Sequence, residues 1–110
     1  MHKINLLMII YNVTIKVSHG IVTPWLKWTQ EEHIADMMAT GMFVGYRMCK
    51  LEEVTDDEGE TYVIQYECLT EENYNYYIDH LSENMRKKGF DLFGNLYMGF
   101  RTKMTVLSKG

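Results

Sequence analysis

Hydrophobic periodicity switches four times along this chain, and the order of the switches leaves few folds open. Residues 7–17 alternate with period two, and residues 24–41 repeat with helical spacing. Two more alternating runs cover 43–53 and 61–68. A second helical repeat spans 70–89, and a last alternating run covers 96–107. In the first run Ile9, Tyr11, Val13 and Ile15 alternate with Ile10, Asn12 and Thr14. Apolar residues on both parities predict a central strand, or one covered on two sides.

The first helix is predicted to open with Thr23 as N-cap and Pro24 at its first position, and to stop at Gly41. Leu26, Ile34, Met37 and Met38 form its inward stripe, with Trp25 and Trp28 towards one edge. In the second strand Val44, Tyr46 and Met48 oppose Phe43, Gly45, Arg47, Cys49 and Leu51. The acidic run Asp56, Asp57, Glu58 before Gly59 reads as a polar hairpin turn, without the spaced oxygen ligands of a calcium loop. In the third strand Tyr62, Ile64, Tyr66 and Cys68 face away from Val63, Gln65 and Glu67. Thr70 caps the second helix, Tyr74, Tyr77, Ile78, Leu81 and Met85 form its apolar face, and Gly89 ends it after Lys87 and Lys88. In the last strand Met98, Phe100, Thr102, Met104 and Val106 oppose Arg101 and Lys103.

A β-α-β-β-α-β order predicts an α+β fold, the ferredoxin-like sandwich, with two helices on one face of an antiparallel sheet. The other face also carries apolar side chains. Leaving it in water is costly, so a second copy of the chain is the expected cover, giving a homodimer through the open sheet face.

Composition narrows the classes further. A chain of 110 residues fits one domain spanning 1–110, with residues 1–7 peripheral and Met8 available as an internal start. Its net charge of −4 argues against a nucleic-acid partner, which needs a concentrated basic surface. Two cysteines, Cys49 and Cys68, make no disulfide framework and read as small thiols, buried or partly buried. The opening MHKINLLMIIYNV lacks a cleavage region and is too short to span a bilayer. The expectation is therefore a cytoplasmic protein with no membrane association.

The segments MIIYNVTI, WLKWTQEEHIADMMATGMF and YVIQYEC resemble the DUF4286 family of bacterial proteins over Met8 to Leu107. EEHI followed by TG-x-F carries most of that likeness. Where the family pattern has a proline after HI, this chain has Ala35. The first-helix region is also similar to dimeric α/β-barrel proteins of the EthD-like and antibiotic-biosynthesis monooxygenase-like kinds. That resemblance implies a dimer in which two ferredoxin-like sheets form a shared barrel. It supplies no catalytic residue to carry over.

Read from the residues, His33 is the candidate catalytic group. Its helical angle falls near Leu26 and Met37, so it can face a pocket between helix and sheet and act there as a base. The plain alternative is a core-edge histidine satisfying another polar group. Asn12, Arg47, Tyr66 and Arg101 are candidate ligand-binding residues if their strand faces share a cleft. Either arginine can anchor a carboxylate, and Tyr66 can orient a carbonyl or phenol. His2, His19 and His80 show no metal spacing with His33, and there is no HExxH, paired-cysteine or glycine-rich phosphate motif. Neither a metal nor a cofactor is implied; haem on His33 has only distant fold analogy behind it.

Three functional readings follow. The first is a homodimer that binds a small ligand or serves protein association. The second is a cofactor-independent monooxygenase or isomerase acting on a small aromatic or carbonyl compound, with His33 as acid or base and Asn12 or Tyr66 orienting substrate. A purely structural interaction module, using loop 54–60, is the third. An accessible cavity holding His33 beside another polar side chain separates the enzyme from the module.

Overall fold

A computed structural model describes residues 7–53 and 58–110. Strand β1 (Ile9–Ser18) leads through a tight turn at His19–Ile21 into helix α1 (residues 22–39). Strands β2 (Gly45–Lys50) and β3 (Gly59–Cys68) follow, then helix α2 (residues 71–93), a turn at Gly94–Leu96 and strand β4 (Tyr97–Thr105). The sheet order is β2-β3-β1-β4 and every neighbouring pair is antiparallel. This is the ferredoxin-like α+β fold expected from the order of periods, with β1 in the interior of the sheet. Asp56 and Asp57, read as part of a hairpin turn, lie outside the described residues, as does His2.

Register decides which side chains meet the helices. Tyr11 pairs with Tyr66, Val13 with Ile64, and Ile15 with Tyr62. Across the other edge Val13 pairs with Arg101 and Ile15 with Gly99. Directly paired residues point the same way, so these side chains share the helix-covered face. Ile9, Tyr11, Ile15, Val17, Tyr62, Ile64, Tyr66 and Cys68 are all buried there. On the opposite face Ile10, Val63 and Met104 are half-buried, and Met98 and Phe100 are about 60% exposed.

Both helices contain one wide turn, at Thr29–His33 in α1 and Tyr77–Leu81 in α2. A step of four residues overshoots one turn of a regular helix by about 40°. A turn bonded i to i+5 absorbs the excess residue. Trp25, Thr29, His33 and Met37 therefore stay on one stripe facing the sheet. Trp25 is 2% exposed, at the centre of the packing rather than at its edge as regular helical spacing predicts.

Three other expectations are corrected. The first helix starts at Val22, and Thr23 is not its cap. Ile21 and Val22 pack on the core and pull the entry back, while Pro24 stays in the first turn, where a missing N–H costs nothing. Phe43 precedes β2 and turns to the core, its ring centred 5.3 Å from that of Tyr66. Gly89 does not end the second helix, which runs on to Phe93 before Gly94 at φ 58°. Thr70 does cap that helix, accepting from the Asn73 N–H at 3.0 Å. Gly41, at φ 76°, closes the first helix.

Gly89 is instead a point of close approach. A Cβ there would collide with the Tyr97 hydroxyl and lie 3.2 Å from Trp28. Alanine gains about 1 kcal/mol of helix propensity, against an overpacking cost of about 1–3 kcal/mol. Gly89→Ala is expected to lower stability in urea titration, and Tyr97→Phe in the same chain to recover much of the loss. Additive effects of the two substitutions would contradict this packing account.

Candidate functional site

Between the helices and the sheet lies a cavity of about 300 Å³. Its inner wall comes from buried residues: Trp25, Thr29 and Met37 of α1, Ile64 and Tyr66 of β3, and Tyr77 of α2. Its mouth is at the β4 edge, where exposed Arg86, Phe90, Gly99 and Arg101 line it. Gly99 keeps this edge open: a Cβ there would meet nothing closer than Val13 at 3.7 Å and Ile15 at 3.9 Å.

Three polar atoms enclosed around this cavity have no hydrogen-bond partner: Thr29 Oγ1, His33 Nδ1 and Tyr66 Oη. An unpaired buried polar group costs about 1–3 kcal/mol. Three such atoms converge on this one cavity.

The His33 ring stacks on Trp28 at 4.8 Å between centroids. Burial lowers its pKa to about 4, and the Lys88 ammonium acts in the same direction against the opposing Asp36 carboxylate. Asp36 and Lys88 form a 3.5 Å ion pair joining the two helices beside the ring. At neutral pH the imidazole is therefore uncharged, and able to accept a proton or a hydrogen bond. Burial pushes the Tyr66 hydroxyl far up, so it stays protonated as a donor.

His33, Tyr66 and Arg101 thus line one cavity. Asn12 and Arg47 do not. Both lie on the opposite face of the sheet, because Asn12 pairs with Gln65 and Gln65 with Arg47. Asn12 is occupied there, accepting from Gln65 Nε2 and donating to Thr14 Oγ1, each at 3.3 Å. Cys68 is not part of the lining; its thiol donates to the Thr70 carbonyl at 3.3 Å, and burial raises its pKa. Thr29 and Arg86 escaped the sequence reading. The four-residue spacing Trp25, Thr29, His33, Met37 was the available signal for Thr29, but it yields a stripe only if the helix widens. Among the described residues no cluster of three or more His, Cys, Asp or Glu could hold a metal ion, and no helix is long and apolar enough to cross a membrane.

The model of DUF4286, a domain of unknown function, matches residues 8–107. The chain belongs to this family. No curated protein matches it. Among solved structures, a dimeric ferredoxin-like protein from an uncultured marine organism superposes on this DUF4286 chain with a TM-score of 0.74 at 11% identity, covering 94% of this chain and 99% of its own. A Bacillus cereus protein provisionally assigned as an antibiotic-biosynthesis monooxygenase gives 0.62 at 15% identity, covering 94% and 97%. A cofactor-independent oxygenase of Streptomyces nogalater, solved in a mutant form, gives 0.62 at 13%, covering 92% and 95%. At such identities the likeness is one of fold.

Two outcomes are expected of the site. The folded chain resists protonating His33 down to about pH 4, whereas the ordinary value is 6.5. The stability contributed by the neutral ring is complete above 6.5 and is lost progressively as pH falls from there through 4, on the order of 3 kcal/mol in all. Urea midpoints at about pH 7.5 and about pH 4.5 should differ more in the wild type than in His33→Gln. Separately, Tyr66→Phe removes an unpaired hydroxyl and should leave thermal stability equal or higher, by up to about 1 kcal/mol. A clear loss would show that this hydroxyl already has a partner.

Proposed function

We propose that this DUF4286 protein is a homodimer that holds a small, flat, largely apolar ligand between its helices and sheet. One observation carries the reading: Thr29 Oγ1, His33 Nδ1 and Tyr66 Oη are enclosed and unpaired around one aromatic-walled cavity. A ligand with one or two oxygen atoms would satisfy them while its rings lie against Trp25 and Tyr77. The dimer reading is supported by exposed Phe100 and Met98 on the open face, beside half-buried Ile10, Val63 and Met104, and by the dimeric ferredoxin-like protein of similar fold. Cys49 and Cys68 are both free thiols, which suits a reducing cytoplasm.

A second reading, a cofactor-independent oxygenase or isomerase, is favoured by the uncharged state of His33. A neutral, largely buried imidazole beside the cavity can take a proton from a phenol or from a carbon beside a carbonyl. Tyr66 would hold the resulting oxyanion. The oxygenase from Streptomyces nogalater supports the fold's capacity for such chemistry.

The binding reading is tested with 2-naphthol. Calorimetric binding to the wild type is expected, with loss of at least about tenfold in affinity in Gly99→Leu, which fills the cavity from its open edge. Undiminished binding in that variant would place the ligand elsewhere. Light scattering at micromolar concentration should give a dimer mass, and Phe100→Glu a monomer. A wild-type monomer would remove the dimer.

A further inference from the structure

The cavity's charge is as informative as its shape. The chain carries 15 acidic and 11 basic residues, yet no Asp, Glu or Lys lines the cavity, while two of the chain's three arginines do. Four lysines, by contrast, are in ion pairs: Lys50 with Glu60, Lys87 with Asp91, Lys88 with Asp36, and Lys103 with Glu71. Arg86 and Arg101 make no ion pair among the described residues. In an acidic protein, leaving two guanidiniums without carboxylates at one opening is a departure from the pattern followed by these lysines.

These two arginines come from different elements and converge. Arg86 is placed by α2, where its Nη1 donates to Ser82 Oγ at 3.2 Å, and Ser82 Oγ in turn donates to the Ile78 carbonyl at 2.7 Å. Arg101 is placed by β4, opposite Val13 on the helix-covered face. Both guanidiniums act on the Tyr11 hydroxyl, drawing its pKa down against burial, and Arg86 does the same to Tyr77. The mouth is therefore a cationic rim, and the interior beyond it is aromatic, with unpaired polar atoms.

We propose that the ligand is a small hydroxylated aromatic carboxylate, its ring and hydroxyl inside the cavity beside the unpaired Thr29, His33 and Tyr66 atoms and its carboxylate held at the mouth by Arg86 and Arg101. This rests on the binding reading above and adds the ligand's charge. Guanidinium is suited to the role because it presents a planar fork of donors to the two carboxylate oxygens. Two forks flanking one opening select an anion over a neutral molecule of the same shape. Phe90, exposed at the same mouth, offers a ring edge over the entering aromatic.

The test compares 6-hydroxy-2-naphthoate with 6-hydroxy-2-naphthamide, which match in size and differ in charge, by calorimetry on the wild-type protein as purified. The carboxylate is expected to bind at least about tenfold more tightly. In Arg86→Gln/Arg101→Gln, checked for native circular dichroism, that ratio should fall to about one. Each single substitution should give an intermediate ratio. Equal affinities in the wild type overturn the proposal without touching the binding reading, because 2-naphthol and the amide then still bind. A preference that survives in the double variant also overturns it, by placing the anion site elsewhere. If 2-naphthol, the carboxylate and the amide all fail to bind, the binding reading falls together with this one.

Discussion

Tyr11, in the middle of β1, has four aromatic neighbours: Phe43 at 5.9 Å, Tyr66 at 6.0 Å, Tyr74 at 6.1 Å and Tyr77 at 5.3 Å between centroids. They come from the segment before β2, from β3 and from the first half of α2. Each such ring pair contributes about 0.5–1.5 kcal/mol beyond its buried area. The cluster ties the helix layer to the sheet on one side of the core. On the other side, Gly99 supplies no side chain to β4, and the layers enclose space instead of filling it. The cavity follows from this imbalance of large rings and a missing side chain.

The two wide helical turns belong to the same arrangement. Thr29 and His33 bound one, Tyr77 begins the other, and all three line the cavity. A π-turn gives up regular i to i−4 bonding and is tolerated where it brings particular side chains to one surface. Here it holds Trp25, Thr29, His33 and Met37 in line along α1. The three unpaired polar atoms in that wall are a second departure from what stability alone would select. Both departures fall at the cavity, beside a core cluster built from aliphatic and aromatic side chains.

The sheet divides the molecule's polar chemistry between its faces. Tyr66 and Arg101 look towards the helices, with His33 above them. Asn12, Gln65 and Arg47 look the other way, among Ile10, Val63 and Phe100. A polar group on that face serves its neighbours, or a partner surface, and has no route into the cavity. The Asn12–Gln65 bond is of this kind, two amides satisfying each other on a face that mixes polar and apolar side chains.

Local pattern determined much of this protein. The order of the elements, the interior position of β1, the Thr70 cap, the Gly41 stop and the opposition of Arg101 to Phe100 were legible because each depends on a few residues in sequence. The placements of Trp25 and Gly89 were not. Trp25 lands at the core only because the helix widens after it at Thr29–His33, a turn that the local residue spacing does not signal. Gly89 looks like a terminator in sequence, yet it is a contact with Tyr97 and Trp28, which belong to other elements. Likewise the sequence named His33, Tyr66 and Arg101 but could not separate them from Asn12 and Arg47. That separation is set by strand register between distant segments, where a shift of one residue exchanges the faces. Arg86 joined the site for the same reason: only the docking of α2 over β4 brings it to the opening.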